Sequence, residues 1–167
     1  MAKRILSLTT ITPTVTADTT NLVDATYNGI VQGGSSTQRV NILEVYLGGQ
    51  AAASAPTFML LSRDTTVGVT ISSGTGMTDA PLDAATAALA APPLVGNTCT
   101  TKPQRSATAH LINLSFNAFG GVVRWLAAPG EEISIVGNTQ PLGEVSLSAF
   151  TGGTPGALGS HIVYEPF

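Results

Sequence analysis

The stretch Ala109-His-Leu-Ile-Asn-Leu-Ser-Phe116 decides the fold class. His110, Ile112, Leu114 and Phe116 share one parity, and Leu111, Asn113 and Ser115 the other, so apolar residues recur with a period of two. Successive side chains of a strand point to opposite faces, which makes this alternation the mark of a half-buried strand. The rest of the chain repeats the pattern. Val40-Asn-Ile-Leu-Glu-Val-Tyr-Leu47 is β-rich and ends at Gly48-Gly49. Phe58-Met-Leu-Leu-Ser62 is an apolar run that predicts a strand buried on both faces. Val67, Val69 and Ile71 share a face, as do Ile133 and Ile135, and then Val145, Leu147 and Ala149. Val122-Val-Arg-Trp-Leu126 follows a Gly120-Gly121 turn, and His161-Ile-Val-Tyr164 ends the series. Arg4–Ile11 and Asn21–Tyr27 supply the first two strands.

These runs are punctuated by Asn28-Gly29, Pro129-Gly130 and Gly152-Gly153. Asn-Gly favours the positive φ of a tight hairpin. Many short strands between Gly and Pro turns predict an all-β fold, a β-sandwich or jelly roll of about 8–10 antiparallel strands. Asp79–Ala91 is the one helical candidate: Asp79 or Asp83 could cap it, Ala favours it, and Pro92-Pro93 would stop it. It reads as an Ala-rich helix or loop inserted between strands. Nothing divides the 167 residues, so the expectation is one β-sandwich domain over 1–167, with an extended N-terminal segment over 1–20.

Composition narrows the function. Only 10% of residues are charged, against about 25% in ordinary soluble domains. Thr, Ala, Gly and Ser together make up 75 of the 167 residues. Seven Lys and Arg are scattered among ten Asp and Glu, which argues against a nucleic-acid partner, because such binding draws on clustered cations. The longest apolar stretch, Ala84–Val95, is interrupted by Thr86 and broken by Pro92-Pro93, well short of the roughly 20 residues that span a bilayer. The Lys3-Arg4-Ile-Leu start is interrupted by Thr9, Thr10, Thr12 and Thr14, and it reads as no cleaved signal. A chain this poor in charge must leave much of its surface small, hydroxylic or apolar, and interface cores are depleted of charge in the same way. The inference is that other subunits cover much of it.

No motif names a reaction. There is no phosphate-binding Gly-rich loop before a helix, and Gly74-Thr-Gly76 is a loop fragment. Cys99 stands alone, so no disulfide or Cys-based zinc site forms within the chain, and Asp79 with Asp83 is too few for calcium. No metal or cofactor is expected. His110, beside Ile112 and Leu114, reads as a core or interface histidine, and His161 as a residue at a strand edge. Glu131-Glu132 reads as a solvated turn. Distant carboxylate pairs such as Asp64 with Glu144 could be drawn, but nothing in the sequence singles them out. The chain is read as no enzyme. The interface candidates are Trp125 and its neighbour Arg124, with Tyr46 and Phe167, because Trp, Tyr and Arg are enriched at binding hot spots. Core burial competes for Trp125.

Two segments carry a family likeness: Val122-Val-Arg-Trp-Leu-Ala-Ala-Pro-Gly-Glu-Glu-Ile-Ser-Ile-Val-Gly137, and Gly143-Glu-Val-Ser-Leu-Ser-Ala-Phe-Thr-Gly-Gly-Thr-Pro-Gly156. Their strand-turn pattern, with the low-charge style of the whole chain, resembles the jelly-roll head decoration (cement) proteins of tailed bacteriophages. The resemblance implies a β-sandwich, usually a homotrimer, made in the host cytoplasm. It would sit on the capsid exterior of the virion and clamp neighbouring copies of the major capsid protein. It implies no catalytic residues. The Asp79–Pro93 insertion departs from the pattern. Competing readings are a receptor- or glycan-binding jelly roll of a tail fibre or baseplate, a main-shell subunit, and a small β-barrel hydrolase.

Overall fold

The computed structural model describes residues 5–12, 27–67, 69, 71, 80–85, 89–96, 103–139, 143–151 and 157–166. They form eleven strands: β1 (Leu6–Thr12), β2 (Tyr27–Gln32), β3 (Arg39–Gln50), β4 (Pro56–Thr66), β5 (Ala80–Pro81), β6 (Leu94–Gly96), β7 (Gln104–Asn117), β8 (Phe119–Leu126), β9 (Ile133–Val136), β10 (Glu144–Thr151) and β11 (Leu158–Pro166). Sheet A runs β5-β1-β11-β3-β8, with β9 also paired to β3, and sheet B runs β6-β2-β10-β4-β7. Every pairing is antiparallel. The protein is all-β, a sandwich of two sheets.

The apolar parity of each strand explains how the sheets meet. Val40, Ile42, Val45, Leu47, Ile135, Leu158, Ile162 and Tyr164 from sheet A pack with Val31, Met59, Leu61, Val145 and Leu147 from sheet B in one buried cluster. In β3 the inward parity changes from Val40 and Ile42 to Val45 and Leu47. The β11 register skips Leu43 at the same place, pairing Ile42 with Tyr164 and Glu44 with Val163. Leu43 is therefore the extra residue of a β-bulge. Here β3 also changes its outer partner: Arg39–Ile42 pair with β9, while Glu44–Gln50 pair with β8.

The strand at Phe58–Ser62 is buried as expected, because β4 lies between β10 and β7 with Met59, Leu60, Leu61 and Ser62 all within 4% of full burial. Other expectations are corrected. Asn28-Gly29 is no hairpin turn: both residues lie inside β2, where the β10 register passes from Gly29 to Tyr27 and leaves Asn28 as a bulge. Pro129-Gly130 is a turn, with Gly130 at φ 87° and the Glu131 N–H donating to the Ala128 carbonyl, as a type II turn requires. No helix occurs among the described residues of Asp79–Ala91. Ala80–Pro81 pair with β1, and the Ala85 N–H donates to Asp83 Oδ1 at 2.9 Å in a side-chain-capped turn. Alanine propensity cannot carry so short a helix in water without packing, and its first residues are taken into the ladder with β1. Val67, Val69 and Ile71 belong to none of the eleven strands; Val69 is half exposed and Ile71 buried. His110 is exposed, not in the core, because the β4 register skips Leu111 and turns His110 outward beyond Ile112. Cys99, Gly74–Gly76 and Gly152-Gly153 lie outside the described residues.

The inter-sheet cluster sets a stability prediction. Leu147 is 1% exposed and central to it, whereas Val122 is 74% exposed. Leu147→Ala is expected to cost about 2–5 kcal/mol in urea unfolding, and Val122→Ala under about 0.5 kcal/mol.

Candidate functional site

Two constellations of polar side chains emerge from the register. The first lies on the outer face of sheet A. Tyr46 of β3 is directly opposite Arg124 of β8 on one side and His161 of β11 on the other. Arg124 Nε donates to Glu44 Oε1 in an ion pair. The guanidinium lies 5.0 Å from the Tyr46 ring centre, in cation–π range, and the His161 ring meets Tyr46 edge-on at 5.7 Å. Burial pushes the Glu44 carboxyl up, but the hydrogen bonds from Arg124 and Tyr46 outweigh it and hold the group below its ordinary value. The bond to Glu44 raises the Tyr46 phenol in turn. The row is thus an internally neutralised patch, its one cation already committed.

The interface candidates divide across β8. Arg124 and Tyr46 come together as neighbours on the outer face. Trp125 has the opposite parity, half-buried against the inter-sheet core. Phe167 lies outside the described residues. His161 is at no sheet edge, since β11 is flanked by β1 and β3. The residues that share the exposed parity of Arg124 were not singled out from the sequence: Val122 is 74% and Leu126 60% exposed, while Phe119, of the other parity and beyond a register shift at the start of the strand, is 59% exposed. The signal was present in the parity, because residues two positions from an exposed Arg on a strand face the same way.

The second constellation was formally drawable from the sequence, and the structure assembles it. Glu144 of β10 pairs with Gln32 of β2, and Asp64 of β4 pairs with Arg105 of β7. Because Val145 opposes Arg63, Glu144 and Asp64 are brought side by side. Asp64, Glu144, Arg105 and Ser146 are each at 0% exposure. Gln32 Nε2 donates to Glu144 Oε2 at 2.7 Å, and Ser146 Oγ donates to Asp64 Oδ1 at 2.6 Å. Their parity is opposite to that of Val31, Val145 and Leu61, so the row lies on the outer face of sheet B. The other parity faces inward, where the Arg63 Nη2 crosses to the Ser134 carbonyl of β9 at 3.0 Å.

Burial pushes the Asp64 carboxyl up to about 9, the hydrogen bond from Ser146 opposes this, and Glu144 adds to the rise, with Arg105 opposing. Asp64 therefore keeps its proton at neutral pH, with the carboxyl of Glu144 beside it favouring the protonated form. General acid–base work needs a carboxyl within reach of a substrate proton, and these two have no surface exposure. The cluster reads as a structural hydrogen-bond row. Glu131-Glu132 is the surface turn expected, with Glu132 Oε1 accepting from the Gly130 N–H at 3.2 Å. Among the described residues no three His, Cys, Asp or Glu cluster as metal ligands.

Comparison with known proteins assigns no family. No protein-family description and no curated protein matches the chain. Among solved structures, it is similar to a chain of the glycosylation associate protein (Gap123) complex from Streptococcus agalactiae, at 8% identity and TM-score 0.30, covering 98% of this chain and 26% of that one. It is also similar to a chain of a marine algae virus of the order Picornavirales, at 8% identity and TM-score 0.22, covering 97% of this chain and 61% of that one. Neither likeness carries an argument about fold or function.

The Asp64–Glu144 pair predicts a pH dependence. A carboxyl whose value is raised on folding binds more protons in the folded state, so its contribution is complete below the ordinary value of 3.8 and is lost as pH rises toward about 9. Melting temperature should therefore fall across that window. Asp64→Asn keeps a donor toward Glu144 and an acceptor for Ser146 without an ionisable proton, so it should flatten the slope. An equal slope in both proteins would contradict the assignment.

Proposed function

We propose that the chain is a structural decoration (cement) subunit on the outside of a tailed-bacteriophage head, where it bridges neighbouring major capsid subunits. One observation carries the reading: the row Phe119, Val122 and Leu126, exposed along an edge strand of a charge-poor sandwich. Exposed apolar side chains grouped on one element mark an interaction surface. The strand order supports the same reading. With the short β5, β6 and β9 set aside, the eight long strands follow in the order 1-8-3-6 in sheet A and 2-7-4-5 in sheet B. We read that order as the winding of two interlocked Greek keys, a jelly roll, an architecture that shell and lectin domains share.

Magnitudes decide how such a subunit would hold. Covering three side chains already more than half exposed yields roughly 1–2 kcal/mol each. The ordering cost of association, about 4–15 kcal/mol, absorbs most of that. One contact alone is marginal, so a bridging subunit must engage more than one neighbour at once, and linked contacts then add without incurring the association cost again. The glycan-binding alternative draws no comparable support, because Trp125 is turned inward and Tyr46 is occupied by Arg124 and His161.

The test is cryo-electron imaging of particles assembled with and without the chain. Density for the sandwich is expected outside the shell at seams between capsomers, and heads lacking it should break open at lower temperature. Location at a tail tip, or absence from the particle, would overturn the reading.

A further inference from the structure

We propose that the free edge of β8 receives β8 of a second copy of this chain, antiparallel, about a two-fold axis through Arg124. The inference deepens the preceding reading by naming the first partner of the same edge, but it needs no particle.

The two sides of the sandwich are finished differently. On one side the edges are β5, of 2 residues, and β6, of 3 residues. Both come from the connection between β4 and β7. Very short edge strands are a standard way to prevent strand addition. On the other side the edges are β7, of 14 residues, and β8, of 8 residues. No proline lies in Phe119–Leu126.

Among the described residues β8 pairs with β3 alone, and the ladder shows which of its backbone groups point away from that partner. The Ala127 N–H donates to the Leu43 carbonyl at 2.9 Å, and Trp125 and Val123 follow opposite Val45 and Leu47. Hydrogen-bonded positions of an antiparallel pair alternate, so Val122, Arg124 and Leu126 direct their N–H and C=O away from β3. Charge usually guards such an edge. Arg124 is the only charged residue of β8, and it does not: its guanidinium is folded back over β3 onto Glu44 and the Tyr46 ring.

One self-pairing register satisfies every position. Centred on Arg124, it sets Val122 opposite Leu126 of the second copy on the outer face, and Val123 opposite Trp125 of the second copy on the inner face. Both pairs repeat by symmetry, and about six backbone hydrogen bonds form. The half-buried Val123 and Trp125, packed at the rim of the core, would then be covered. Only Arg124 meets its own kind, and each copy is already neutralised by Glu44. Moving the register by two residues sets Arg124 against Val122 or Leu126, and Leu126 or Val122 against Gly120 or Ala128. An isologous edge of this kind closes as a dimer, not as the trimer that the family resemblance implies.

The test is sedimentation of the full chain, free of heads, over roughly 1–100 µM, the range suited to a small interface. A concentration-dependent dimer is expected. V122E and L126K should each weaken it at least about tenfold, while the exposed positions leave the circular dichroism, and the melting temperature at a dilution where the chain is monomeric, unchanged. The V122E/L126K double variant sets the new carboxylate of each copy opposite the new ammonium of the other. It should recover to within about threefold at low salt and lose that recovery at 1 M salt, where the screening length is roughly 3 Å. A monomer throughout, a trimer, or a double variant no better than the singles overturns the inference. If the singles leave self-association intact but lose head binding, the edge belongs to the shell protein: the inference fails and the reading of the preceding section stands. A dimer that binds no head does the opposite, supporting the edge pairing and overturning the capsid reading.

Discussion

The bulge at Leu43 governs the architecture of sheet A. A strand has a strict two-residue period, so a slip of one residue sends every later side chain to the other face. Without the extra residue, Val45 and Leu47 would leave the core if Ile42 stayed in it, and Glu44 and Tyr46 would be driven inward. With it, Ile42 and Val45 both face sheet B, and Glu44 and Tyr46 stand outside to receive Arg124. The bend also divides the outer edge of β3 between β9 and β8, which leaves β8 as the edge strand of the sheet.

Sheet B solves a different problem. Its outer face carries Gln32, Glu144, Asp64, Ser146 and Arg105, all buried. Desolvating a carboxylate without compensation is costly, and proteins usually meet the cost by pairing the group or keeping it protonated. Here both devices operate: Asp64 holds its proton, and Ser146 and Gln32 donate to the two carboxyls. Each bond links β10 to a neighbouring strand, β4 or β2, so the row also penalises register slips that the apolar face alone would penalise less. A slip of two residues keeps apolar parity but would leave a buried carboxyl without its donor, at a cost of about 1–3 kcal/mol or more.

The two constellations were unequally legible. The alternation at Ile112, Leu114 and Phe116 named a strand and its inward face, but the same parity included His110, which the bulge at Leu111 turns outward. Asn28-Gly29 carried the chemistry of a hairpin and became a bulge, because its neighbours could pair with β10. Arg124 and Tyr46 could be picked out as interface candidates by residue type. Their contact could not be, since it rests on which strand lies beside β3 and in what register.

Sequence by itself determined the fold class, the strands on either side of Gly and Pro, and the scarcity of charge that leaves an apolar rim. Period-two patterning and turn chemistry are local properties, written within a few residues of one another. The tertiary structure alone decided that Asp64 meets Glu144 across eighty positions of chain, that Trp125 turns inward while Val122 and Leu126 turn outward, and that β8 ends its sheet. Those outcomes depend on strand order and on single-residue register shifts. Both are set by how two apolar faces bury one another, and no local pattern encodes which strands they will bring side by side.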